Sequence, residues 1–243
     1  MRVVGGGWML DKIFGKQARL PADEFGGLPF LGTPVEGGLR LTMEEIRQFV
    51  LISAARRGYP EPSHEMIADR VTWLDRRSLP GFGAWINELL DYQSETIEQR
   101  FSLTRPDGSL GRACPLFFGA KLDDKLDELT ASDKPILFDA PSNPVLLLPK
   151  LARFIAPLGR LIMINWIKDN DEIAASVMDG FRIVHRGNST QLFEAFTNSA
   201  KIGVSRYPEE TQPVPPLRPA HRDEIVVPEA LMGRLIRFMR TTA

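Results

Sequence analysis

Six polar residues stand where apolar, β-type runs end: Asp139, Asn143, Asn165, Asp169, His185 and Arg186. Together they supply a carboxylate pair, two carboxamides, an imidazole and a guanidinium, a set able to hold and orient a small polar metabolite. In parallel α/β sheets ligands bind outside the carboxyl ends of strands, so position rather than motif nominates these residues. The competing reading is structural, because Asn and Asp also occur at strand ends to make turns and caps.

Other chemistries have less support. His64, His185 and His221 are isolated, with no H-x-H or H-E-x-x-H spacing, so neither a metal nor a cofactor is expected. The single cysteine, Cys114, precedes Pro115 and an apolar run and reads as a buried thiol rather than a nucleophile. Gly5-Gly6-Gly7 lacks the spacing of a phosphate loop, and no G-x-S-x-G elbow is present. The acidic group Asp123, Asp124, Asp127 and Glu128 matches the solvent face of a helix marked by Phe118, Leu122, Leu126 and Leu129.

The elements that must position the six residues centre on Lys134 to Lys168, the longest apolar segment of the 243-residue chain. Ile136–Phe138 and, but for Asn165, Leu161–Trp166 are apolar without alternation, as strands buried on both faces would be. A crossover helix between them makes a βαβ-like unit. Pro149 either kinks a helix that starts at Asn143-Pro144 or opens one that starts later. Strands are also expected around Phe181–Val184 and Ala200–Val204, a half-exposed strand and return strand over 97–112, and a short helix over Leu192–Phe196.

Upstream, Thr42 and Glu45 form a T-x-x-E capping box. Ile46, Phe49, Val50, Ser53 and Ala54 then follow helical spacing up to Gly58. Ser63 is placed to cap a second helix carrying Ile67, Val71 and Leu74. After the Leu79-Pro80-Gly81 break, Phe82, Trp85, Ile86, Leu89 and Leu90 mark a third.

The expected fold class is therefore α/β or α+β: an N-terminal three-helix module packed with a mixed sheet containing a buried βαβ-like unit. Its divisions are a Gly-rich arm (1–40), the three-helix module (41–92), an α/β core (93–207), and a Pro-rich connector with a C-terminal amphipathic helix (208–243). Leu231, Leu235, Phe238 and Met239 form the apolar face of that last helix and invite a homo-oligomer or a protein partner. Arg234, Arg237 and Arg240 form its basic face.

The net charge of -1 gives no global basic field for nucleic acid. The best apolar stretch is broken by Pro149, Lys150, Arg153 and Arg160, so no membrane span is expected. Without a signal-peptide pattern, the expected location is the cytoplasm.

Ala54-Ala55-Arg56-Arg57-Gly58, the stretch Ala68 to Arg77, Leu79-Pro80-Gly81, and Pro144 to Leu148 together resemble a bacterial domain family of unknown function. The likeness covers roughly Leu41 to Trp166. It implies a bacterial source and supplies no catalytic residues. Leu79-Pro80-Gly81-Phe82-Gly83 is also similar in position to a Gly-x-x-Ser-His-Gly segment of the malate/L-lactate dehydrogenase family, without its acid–base His.

The function expected from all this is a soluble, non-catalytic partner-binding or accessory protein. The alternative is an enzyme or sensor of a small polar metabolite, with its site near Asp139 and Asn165.

Overall fold

The computed structural model describes residues 32–91, 116, 131, 136–139, 142–158, 160–168, 171–179, 182–186, 199–205 and 222–241. A hairpin comes first, with β1 (Thr33–Val35) and β2 (Gly38–Thr42) joined through Glu36-Gly37. This hairpin falls inside the stretch expected to be an irregular arm. Residues 1–31 lie outside the described residues.

Helix α1 (Met43–Arg57) starts where its capping box places it. Glu45 N–H donates to Thr42 Oγ1 at 3.2 Å, and Thr42 N–H donates to Glu45 Oε2 at 2.8 Å. A cap of this kind is worth about 1 kcal/mol. Gly58 ends the helix in the left-handed region at φ 88°, and its N–H reaches the Ala54 and Ala55 carbonyls. Helix α2 (Glu61–Asp75) begins two residues before Ser63. Pro60 is its N-cap residue and Pro62 lies in the first turn, where the missing N–H leaves no bond unmade.

Helix α3 (Gly81–Asp91) is the hub of the helical module. Almost every residue from Gly81 to Leu89 is buried, so α3 is covered nearly all round rather than on one stripe. It packs on both α1 and α2. A Cβ at position 81 would run into the Val71 carbonyl oxygen and lie 2.8 Å from Leu74 Cβ, which is why the Leu-Pro-Gly break ends in glycine. Trp85 Nε1 donates to Ser53 Oγ at 2.9 Å, and the Tyr59 ring lies 5.6 Å from the Trp85 ring. These contacts tie α3 to α1.

The central apolar segment divides into five pieces. Strand β3 (Ile136–Asp139) leads to a 3-10 turn (Pro144–Leu147), then helix α4 (Leu148–Ile155), a second 3-10 turn (Ala156–Leu158), and β4 (Leu161–Lys168). Pro149 stands in the first turn of α4, so it opens the helix rather than kinking one. Strands β5 (Asp171–Asp179), β6 (Arg182–Arg186) and β7 (Ser199–Ser205) complete a five-stranded sheet of order β3-β7-β4-β5-β6.

This sheet corrects the mixed-sheet expectation. Each neighbouring pair is antiparallel. Strands β3 and β4 do run the same way, as a βαβ-like unit requires, but β7 is inserted between them. The crossover is a split one. Continuous apolarity in β3 and β4 was equally compatible with direct parallel pairing, and only the return of a distant strand distinguishes the two.

One face of β4 is fully buried through Ile162, Ile164 and Trp166, while Met163 on the other is 45% exposed. That is the pattern of a sheet with one solvated face. Helix α4 presents Leu148, Leu151, Ala152 and Ile155 to the same core.

At the far end of the chain, β8 (Glu224–Pro228) pairs antiparallel with β2 over five residues, from Gly38↔Pro228 to Thr42↔Glu224. Sequence periodicity had not distinguished β8 from the connector. Helix α5 (Glu229–Thr241) follows and packs on α3, β2 and β8. Leu235, Phe238 and Met239 are each 1% exposed and Leu231 is half-buried. The apolar face proposed for an external partner is therefore consumed by the chain's own core. Arg56 also donates to the Met239 carbonyl, fastening the end of α5 to the end of α1.

The architecture is α+β, with the three-helix module present as expected. The expected strands over 97–112, the helices over 118–129 and 192–196, and the connector over 208–219 lie outside the described residues. Among the described residues no helix is long and apolar enough to cross a membrane.

Candidate functional site

Three strands of the larger sheet, β3, β4 and β6, run in the same direction, with β7 and β5 antiparallel between them. Their carboxyl ends consequently fall at one end of the sheet. Asn165 stands opposite Lys201 on one side and Ala175 on the other, and Ala175 stands opposite Arg186. Asn165 and Arg186 thus share one cross-strand row. Asp139 is opposite Ser199, which is opposite Ile167, so Asp139 lies two residues further toward the strand ends. His185 falls in the adjacent row, opposite Ser176, itself opposite Ile164. Asp169 lies outside the described residues.

Asn143 belongs elsewhere. It adopts left-handed backbone angles, φ 39° and ψ 61°, at the entry to the 3-10 turn, and it is 2% exposed. Its Nδ2 donates to Glu88 Oε2 at 2.8 Å, and Ser142 Oγ donates to the same oxygen at 2.8 Å. A buried carboxylate of α3 thus gathers two donors from the segment that follows β3. Bonds to a charged acceptor are stronger than neutral ones, and in a dry site the donors have no water to turn to. Asn143 serves as a joint between helical module and sheet rather than as a ligand group beside Asn165.

Replacing Glu88 by Leu tests the joint. The change removes the oxygen that both donors share and leaves the buried Ser142 hydroxyl and Asn143 amide without that acceptor, and stability should fall by about 2 kcal/mol in urea unfolding. A loss below about 0.5 kcal/mol would mean the three side chains do not depend on one another.

The polar groups continue along α3. Arg234 of α5 donates to Asn87 Oδ1 at 3.1 Å and to Asp91 Oδ1 at 3.3 Å. Burial pushes the Asp91 carboxyl above its usual range, Arg234 pulls it back down, and Glu88 adds a further upward push. The strongest perturbation lies at the other end of the helix. Asp75, 3% exposed, accepts from the N–H groups of Gly81 and Phe82 at 3.0–3.2 Å. Burial raises it to about 7, against the opposing pull of those two N–H groups.

A carboxylate titrating near neutrality has the acidity a general acid or base needs. Here, however, both oxygens face the first turn of a buried helix, where they satisfy otherwise orphaned donors.

Sequence reasoning passed over Asp75 and Glu88. Glu88 had one visible signal, a charge embedded in Phe82–Leu90, a helix whose apolar residues go almost all round. Asp75 had none, because a carboxylate six residues before a helix start is no recognised cap spacing. Among the described residues no group of three or more His, Cys, Asp or Glu side chains could hold a metal ion. Compared with protein-family models, curated proteins and solved structures, the chain matches none.

Proposed function

We propose that this chain is a cytoplasmic, non-catalytic partner-binding or accessory protein, acting through surfaces other than the apolar face of α5. One observation carries the reading: the buried carboxylates Asp75 and Glu88 are both spent on holding α3 in place. The polar investment of the described interior goes into fixing the relation of helices to sheet, which suits a rigid platform for a partner.

The test uses the purified 243-residue chain. Multi-angle light scattering and chemical cross-linking with lysate fractions, followed by reconstitution with the purified candidate, should give a complex of fixed stoichiometry. A chain that stays monomeric with each reconstituted candidate, yet melts at higher temperature with one metabolite, would overturn the proposal. A ligand at 100 times its Kd adds about 2.7 kcal/mol, well within detection.

The second reading, a small polar ligand at the sheet end, has its own support. The carboxyl ends of β3, β4 and β6 lie together there. A metabolite-induced shift abolished by Asp139→Ala or Asn165→Ala would favour this reading; a shift left intact by both would exclude it.

A further inference from the structure

The corner where α2 ends gathers three arginines from two distant parts of the chain. Arg76 and Arg77 follow Asp75 directly, and the N–H of Arg222, leading into β8, donates to the Arg76 carbonyl at 3.4 Å. Arg76 and Arg222 are exposed, and neither forms an ion pair or a side-chain hydrogen bond among the described residues. Arg77 is half-buried and held in place. Its Cζ lies 3.9 Å over the Trp73 ring, and Nη1 donates to the Trp73 carbonyl at 3.1 Å.

The helix dipole accounts for arginines at the end of α2. It does not account for a third brought from the far end of the chain. Burial, and then the Arg76 charge beside it, make Arg77 a poorer holder of its proton. That repulsion is what an incoming anion relieves.

Resting on the partner-binding reading, we propose that this corner recognises a short acidic segment of a protein partner. Its composition is that of an interface anchor, where Arg and Trp dominate binding energy. The corner is also preorganised. Asp75 grips the start of α3, Ser78 sits at φ 61°, and the Arg77, Ser78 and Leu79 N–H groups all bond back to α2, so little ordering accompanies binding.

Charge decides against nucleic acid. Duplex binding draws on a track of phosphate contacts, about 6–10 in typical cases. Here the patch is short and has acids next to it in the chain: exposed Asp223 beside Arg222, and Glu224 paired with Arg40. A long polyanion meets those carboxylates, which a short acidic segment can avoid.

The experiment is fluorescence anisotropy of labelled hexaglutamate with the 243-residue chain. Binding should appear at about 50 mM salt and fade by about 500 mM. The double variant Arg76→Glu, Arg222→Glu should bind about tenfold more weakly or worse. Arg153→Glu, an exposed arginine on α4, should bind like wild type. If the double variant lowers the melting temperature, Arg76→Gln with Arg222→Gln replaces it.

Equal weakening by Arg153→Glu would reduce the effect to general charge and overturn the proposal. So would oligothymidylate binding more tightly than hexaglutamate, or no hexaglutamate binding at all. Those results sink the acidic-segment assignment alone; the partner-binding reading falls only on its own reconstitution test.

Discussion

Phe238→Ala should lower the unfolding free energy by about 3–5 kcal/mol, the cost of deleting a buried aromatic side chain and leaving its cavity. Phe238 is 1% exposed, packed in the cluster that joins α5 to the rest of the core, so the surroundings have little room to collapse. The measurement also decides where α5 belongs. An amphipathic helix waiting for an external partner exposes its apolar face when alone, and truncating an exposed side chain costs less than about 0.5 kcal/mol. Urea unfolding of the isolated chain separates these outcomes by several kcal/mol. A near-zero loss would return Leu235, Phe238 and Met239 to the surface as a docking face. Loss of α5 docking would also free the Arg234 links to Asn87 and Asp91, so part of the effect spreads to α3.

The second large effect is a pH dependence centred on Asp75. Folding raises its carboxyl from the ordinary 3.8 to about 7, because burial penalises the charged form more than the Gly81 and Phe82 N–H groups favour it. Between those values the native state holds a proton that the unfolded chain has released. The contribution to stability is therefore complete below about pH 4 and is lost as pH rises through about 7.

Wild type should lose about 2–3 kcal/mol between roughly pH 5 and pH 8 relative to Asp75→Asn, which cannot ionise. The asparagine keeps an oxygen able to accept from both N–H groups, so the variant isolates the charge from the cap. The checking measurement is the difference between the two urea-unfolding profiles across that range, which removes the other titrating groups. A constant difference would place the Asp75 carboxyl at or below its ordinary range, with the N–H groups at least offsetting burial.

The helical module was legible because each of its determinants is local. Thr42 and Glu45 meet within one turn, Gly58 needs only its own φ, and Ile67, Val71 and Leu74 declare a face by spacing alone. Pro149 left two geometries open, and both satisfied its missing N–H. What chose between them was the 3-10 turn that Asn143 begins, a turn held by a carboxylate 55 residues upstream.

The candidate site was legible only as positions. Asp139 and Arg186 end β3 and β6 as the apolar runs indicate, whereas β4 runs on three residues past Asn165 to Lys168; the shared end of the sheet follows from the common direction of β3, β4 and β6. Register set the rest, and register depends on which distant strand returns. Asn143 shows the limit: its type and place fitted a ligand group equally well until Glu88 took its amide.

By itself, then, the sequence determined the periodicities, the caps and breaks, and the apolar inventory of the core, because these depend on contacts within a few residues. The tertiary structure decided that β7 splits β3 from β4, that β8 delivers α5 onto its own core, and that Glu88 and Asp75 are buried supports of α3. It also brought Arg222 to Arg76. Each of those outcomes pairs residues far apart in the chain, and such pairing is fixed by shared burial and by hydrogen bonds that exist only once the elements have met.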